Sequence, residues 1–201
     1  MNELLALVLA YIIGSIPFGY LLVRFTTGRD VRALGSGNIG ATNVLRTTGR
    51  LAGVATLLLD GAKGYFAVWL AAWLTSSSPL WMSLAAIAVV LGHAFPVFLK
   101  FQGGKAVASF VGAFLFLAPV ALAATTVIFI VTVAATRFIS LGSIAGAATF
   151  PLAVYLIEHP PMPELLAAVA GGAFIIWRHK SNIARLRAGS ENVFRFGSSK
   201  A

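Results

Sequence analysis

Three polar stretches hold most of the side chains that could do chemistry. The first reads Arg32-Ala-Leu-Gly35-Ser36-Gly37-Asn38-Ile-Gly40-Ala-Thr42-Asn43-Val-Leu-Arg46. Its glycines let the backbone turn and approach a ligand closely. Successive N–H groups in such a turn form a concave anion site. Ser36, Asn38, Thr42 and Asn43 add neutral donors, and Arg46 adds a forked cation. This is the chemistry of a phosphate cradle. A glycine-rich turn flanked by arginines placed for topology accounts for the same residues equally well.

The second stretch, Lys100-Phe-Gln102-Gly103-Gly104-Lys105-Ala106, offers N–H groups at a helix start, the positive helix end and a cation. It is not a nucleotide P-loop, which needs a glycine where Leu99 stands and Ser or Thr where Ala106 stands. A plain basic loop between helices is the competing reading. The third stretch runs Arg178-His179-Lys180-Ser181-Asn182-Ile-Ala-Arg185-Leu-Arg187-Ala-Gly189-Ser190-Glu191. His179 and Asn182 stand one helical turn apart and could point together. Topology or anionic lipid also explains basic residues at such a place.

Two features fall inside apolar runs. Asp60 and Lys63 are spaced to pair on one helix face, as a functional pair or as a structural one. His93, shortly before Pro96, reads as a packing histidine. The absences narrow the chemistry. Asp30 and Asp60 are the only aspartates, so a multi-aspartate Mg²⁺ site is not available. There is no HExxH motif, no Gly-x-Ser-x-Gly elbow and no cysteine. No metal ion and no cofactor are expected.

The elements that must position these residues follow from composition. Of 201 residues, 59% are hydrophobic and 10% charged, against roughly 25% charged in soluble domains. That excludes a soluble enzyme, a disordered tail and a nucleic-acid-binding module, and leaves an all-α polytopic membrane protein. The first run, 4–23, follows Glu3 rather than a basic segment, so it is read as a retained span and not a signal peptide. The uncharged run 64–99 is too long for one pass, and Thr75-Ser-Ser-Ser-Pro79 divides it into helices of about 51–74 and 80–99. Further runs are 106–136, 138–157 and 165–177.

Charge decides how 106–136 is used. If it crosses twice, as two short helices meeting near Pro119, every Lys and Arg except Lys63 falls on one side. The acidic segment 158–164 then falls on the other. The positive-inside rule selects this arrangement. It predicts seven transmembrane helices, the N-terminus outside and the C-terminus cytoplasmic. The net charge of +9 is thereby explained without nucleic acid. An organic-anion or phosphate transporter would use the same basic loops. Against it stand the lack of an internal repeat and the placement of every glycine motif on one side.

Taken together, these motifs identify a resemblance. Gly14-Ser-Ile-Pro-Phe-Gly19-Tyr and Gly35-Ser-Gly-Asn-Ile-Gly-Ala-Thr-Asn43 are followed by Asp60-Gly-Ala-Lys-Gly64. Next come Gly92-His-Ala-Phe-Pro96-Val-Phe, Gln102-Gly-Gly-Lys105-Ala and Arg178-His-Lys-Ser-Asn182-Ile, with Gly189-Ser-Glu191 downstream. Over nearly its full length the chain resembles the bacterial acyl-phosphate:glycerol-3-phosphate acyltransferases (PlsY type). The resemblance implies a single transmembrane acyltransferase domain, 1–201, multi-pass in the bacterial cytoplasmic (inner) membrane, with its active site facing the cytoplasm. It implies acyl transfer from a fatty acyl phosphate to the sn-1 hydroxyl of glycerol 3-phosphate, giving lysophosphatidic acid and inorganic phosphate, the first step of bacterial phospholipid synthesis. No protein partner is implied.

By the same resemblance, Ser36, Arg46, Lys105 and His179 serve catalysis. Gly35, Gly37, Asn38, Gly40, Thr42, Asn43, Gly103, Gly104 and Asn182 line the substrates. Asp60, Lys63, His93 and Glu191 are in supporting places. The expectation is that all three stretches converge at the inner lipid–water boundary.

Overall fold

The structure is a computed structural model that describes residues 1–194. Arg195 and Lys200, part of the basic tail counted above, lie outside the described residues. Among the described residues the secondary structure is helical, with no strand. The α-helices are α1 (Asn2–Ser15), α2 (Phe18–Thr27), α3 (Ala41–Thr47), α4 (Arg50–Leu74), α5 (Pro79–Ala94) and α6 (Val107–Leu117). They continue as α7 (Pro119–Thr136), α8 (Ile139–Ala153), α9 (Met162–Arg178) and α10 (Lys180–Arg187). Five helical stretches are long and apolar enough to cross a membrane: Asn2–Thr27, Arg50–Leu74, Pro79–Leu99, Pro119–Thr136 and Ile139–Glu158. Helix α6 has 11 residues and α9 has 17.

The run 4–23 is not one helix. It breaks at Ile16–Pro17 into α1 and α2, with Ile16 extended at ψ 114°. Pro17 lacks an N–H and its ring excludes the helical carbonyl four residues back. The residue before proline is pushed out of the α region as well. The run 106–136 breaks where expected, at Ala118, with Pro119 as the first residue of α7. A proline tolerates that position because its missing N–H would be unsatisfied there anyway. The next two N–H groups are satisfied from afar. Glu158 Oε1 accepts from Val120 N at 2.9 Å and from Ala121 N at 3.1 Å.

The chain forms two compact units, one ending at Leu117 and one beginning at Ala118. In the first, α4 packs against α1, α2, α3, α5 and α6. Glycines permit these close approaches. A side chain at Gly14 would strike the Val89 carbonyl, and one at Gly112 would strike that of Gly61. Small residues at helix crossings are how packing is gained where lipid supplies no hydrophobic drive. In the second unit α8 packs against α7 and α9, and α10 follows α9. Polar hydroxyls inside the spans bond back to helix carbonyls, as Thr56 does to Ala52 at 2.8 Å and Thr125 to Ala121 at 3.0 Å.

Candidate active site

The first polar stretch is built around Asn43. Its side chain is 2% exposed. Its Oδ1 accepts the Ser36 N–H at 2.9 Å, and its Nδ2 lies 2.8 Å from Asn38 O, 3.0 Å from Leu34 O and 3.3 Å from Val31 O. Gly35 turns there at φ +55°, with no room for a side chain beside Asn43. Asn38 Oδ1 accepts the Gly40 N–H at 2.8 Å. The Asn43 side-chain amide and the Asn38 Oδ1 thus hold the loop in shape. A buried apolar cluster of Val23, Val31, Ile39, Val44 and Leu99 lies beneath the loop. Ser36, Gly37 and Arg46 are exposed, and Gly40 and Thr42 half-buried.

Arg32 is taken up locally. It forks onto Asp30, with Nη2 2.7 Å from Oδ2 and Nε 3.0 Å from Oδ1, and its guanidinium lies 5.3 Å from the Tyr20 ring centroid. The Arg32 hydrogen bonds hold the Asp30 carboxyl below the usual carboxylate range.

The second stretch leaves α5 through Pro96 and a 3-10 turn at Val97–Leu99, then bends with Lys100 and Phe101 at φ +53° and +63°. Here two of the N–H groups that the sequence offers to an anion are occupied. Gly103 N donates to Ala94 O at 3.2 Å and Gly104 N to His93 O at 3.1 Å. The two glycines instead allow contact. A side chain on Gly103 would strike the His93 carbonyl, and one on Gly104 would strike His93 Nε2. Lys105 is half-buried just before α6.

The Asp60–Lys63 pair forms as the spacing predicts, with Nζ 2.9 Å from Asp60 Oδ1 and both side chains 2% exposed. Lys63 Nζ also donates to Ile16 O at 2.7 Å and lies 5.6 Å from the Phe18 ring centroid. His93 Nδ1 stands 3.6 Å from Asp60 Oδ1 and 3.3 Å from Ser109 Oγ. His93 is therefore buried, as a packing histidine would be, but among polar partners.

The third stretch belongs to the second unit. His179 is 3% exposed, with Nδ1 2.8 Å from Ile175 O. A carbonyl only accepts, so Nδ1 carries a proton. Asn182 donates Nδ2 to Glu191 Oε1 at 2.7 Å, Ser140 Oγ donates to the same oxygen at 2.9 Å, and Arg185 Nε donates to Oε2 at 2.7 Å. Burial alone would raise the Glu191 carboxyl. The donors Asn182, Ser140 and Arg185 outweigh burial and hold it below its ordinary value. Ser140, the partner from α8, carries no motif that sequence reasoning could have used. Among the described residues, no three His, Cys, Asp or Glu side chains gather as a metal site.

Comparison with known proteins places this arrangement. A family model described as Glycerol-3-phosphate acyltransferase matches residues 4–189. A glycerol-3-phosphate acyltransferase of Geobacter sulfurreducens is 47% identical over 97% of this chain and 99% of its own length. One from Desulforamulus reducens is 44% identical over 95% of this chain and 94% of its own. Among solved structures the chain is similar to PlsY (YgiH), an integral membrane glycerol 3-phosphate acyltransferase, in its glycerol 3-phosphate form. The TM-score is 0.91 at 35% identity, covering 97% of this chain and 96% of that one. A lysophosphatidic acid form of PlsY (YgiH) gives 0.88 at 33% identity, with the same coverage. Matched from residue 4 to residue 189, and to relatives along nearly their whole lengths, this multi-pass membrane protein belongs to the glycerol-3-phosphate acyltransferase family.

Proposed function

We propose that this chain transfers a fatty acyl group from acyl phosphate to the sn-1 hydroxyl of glycerol 3-phosphate. The hydroxyl oxygen attacks the acyl carbon, the acyl–phosphate bond breaks, and inorganic phosphate and lysophosphatidic acid leave. The observation that carries this reading is the end-to-end likeness to an integral membrane acyltransferase in its glycerol 3-phosphate form. Phosphate is a good leaving group, so the reaction needs orientation and charge stabilisation more than strong acid catalysis.

In this proposal Ser36, Arg46 and Lys105 grip phosphate. The exposure of Ser36 and Arg46 supports it. Gly35, Gly37, Gly40 and Thr42 line that grip. Asn38 and Asn43 act by shaping it, and Gly103 and Gly104 by bringing Lys105 close. The proton of the attacking hydroxyl passes to His179 Nε2 or to the substrate's own phosphate. Asn182 and Glu191 support the His179 segment.

The proposal retains seven spans, the N-terminus outside, and one transmembrane domain in the inner membrane working toward the cytoplasm. The helix break at Ala118 supports it, and the arrangement puts every Lys and Arg except Lys63 on one side, as the positive-inside rule asks. Purified protein given palmitoyl phosphate and glycerol 3-phosphate should release inorganic phosphate and form lysophosphatidic acid. Flux of either anion into sealed vesicles without phosphate release would overturn the reading in favour of transport.

A further inference from the structure

Two interruptions of regular helix in the first unit meet at one buried cluster. The first is the Ile16–Pro17 break, whose Ile16 carbonyl accepts from Lys63 Nζ at 2.7 Å. The second is the loop after α5, whose Gly104 backbone rests against His93 Nε2. Asp60 joins them, lying 2.9 Å from Lys63 Nζ and 3.6 Å from His93 Nδ1 through the same oxygen. By helical rise, Asp60 lies about 15 Å along α4 from Arg50, well inside the span. Irregular backbone at membrane depth persists only where protein or a wet cavity satisfies it.

Both interruptions lead directly to the proposed phosphate grip. From the break, α2 runs to the Ser36 loop. It is fastened to that loop where Gly19 backs onto the Ile39 carbonyl and onto Thr56 of α4. From the second loop, Gly104 is followed by Lys105 and then α6, whose Ser109 Oγ is 3.3 Å from His93 Nδ1. Stability alone gives little reason to keep this cluster. An apolar set of equal volume usually serves a buried ion pair's place as well or better.

We propose that Asp60, Lys63 and His93 are positioning residues. They lock the helix break and the second glycine loop to one carboxylate, and so set the distance between Ser36 and Lys105 at which phosphate is held. None of the three is assigned contact with substrate. The inference rests on the acyltransferase reading above.

The test is the double variant Asp60→Asn with Lys63→Met, near in shape and without buried charge, in the full-length protein in detergent. The expected result is an unfolding midpoint within about 3 °C of wild type. At the same time kcat with palmitoyl phosphate should fall about tenfold or more, a loss of orientation rather than of fold. Values of kcat and KM within about twofold of wild type would overturn the inference. If the double variant does not fold, His93→Gln, which leaves the ion pair in place, is judged by the same criteria. Failure of both to fold would make the cluster a folding element only and would equally overturn it. Wild type that releases no phosphate would remove the acyltransferase reading and this inference together, whereas active wild type beside an unchanged variant removes the inference alone.

Discussion

Asn43 and Arg46 stand three residues apart on α3 and do opposite work. Asn43 is buried and makes four hydrogen bonds to the Ser36 loop. Replacing it by Ala leaves one amide and three carbonyls to find new partners, at a cost of about 2–3 kcal/mol. Asn43→Ala should lower the unfolding midpoint and raise KM for glycerol 3-phosphate together. Arg46 is exposed on the same short helix, and Arg46→Ala should raise KM about tenfold or abolish phosphate release in a protein that still folds. Unchanged kinetics would remove Arg46 from the grip. Glu191 gives a pH-dependent prediction. Its folded carboxyl is held below its ordinary value, so its stabilisation is present above the unfolded carboxyl's value and is lost as pH falls through the folded one. Glu191→Gln should therefore lower the midpoint at pH 7 by roughly 3–6 °C. The gap should close in acid; a gap that persists there would contradict the sign.

Helix boundaries are set by groups outside the helices they bound. Pro119 opens α7, but the donors it leaves at Val120 and Ala121 are met by Glu158, at the far end of the next helix. Glu158→Ala should cost about 1–2 kcal/mol, the range of a lost N-terminal cap. Thermal unfolding in detergent measures this, and Glu158→Gln, which keeps an acceptor, should recover part of it. The crossing of α4 and α6 depends on the absence of side chains. Gly112→Leu would drive a branched group into the Gly61 carbonyl and force the helices apart. It should cost about 1–3 kcal/mol or more, and it should disturb Lys105 through the movement of α6.

At the scale of the whole molecule, the proposed topology makes a prediction that the composition helps to test. The chain has no cysteine, so any one introduced thiol is unique. Ser36→Cys, Arg137→Cys and Lys180→Cys should react with a membrane-impermeant maleimide only from the cytoplasmic side. Ser77→Cys should react only from the opposite side. Labelling of positions 36 and 180 from opposite faces would dismantle the proposed topology, whatever the individual helices do.

Part of this protein is legible in a window of a few residues. The apolar run lengths show a polytopic helical protein, and Pro79 and Pro119 mark helix starts. The spacing of Asp60 and Lys63 predicts their ion pair, and the three polar stretches stand out by composition. Each is a local property, set by helical rise, by proline's missing N–H or by the cost of charge in lipid. Pro17 carried the same signal, but the uncharged run around it read as continuous because hydropathy does not register a break that another helix can satisfy. What tertiary structure decided is which polar groups remain available. The Gly103 and Gly104 donors are occupied by Ala94 and His93, the Asn43 amide by its own loop, and the Ile16 carbonyl by Lys63, 47 residues away. No window of sequence contains both members of that last bond. A buried backbone group must be paired, but packing alone chooses the partner.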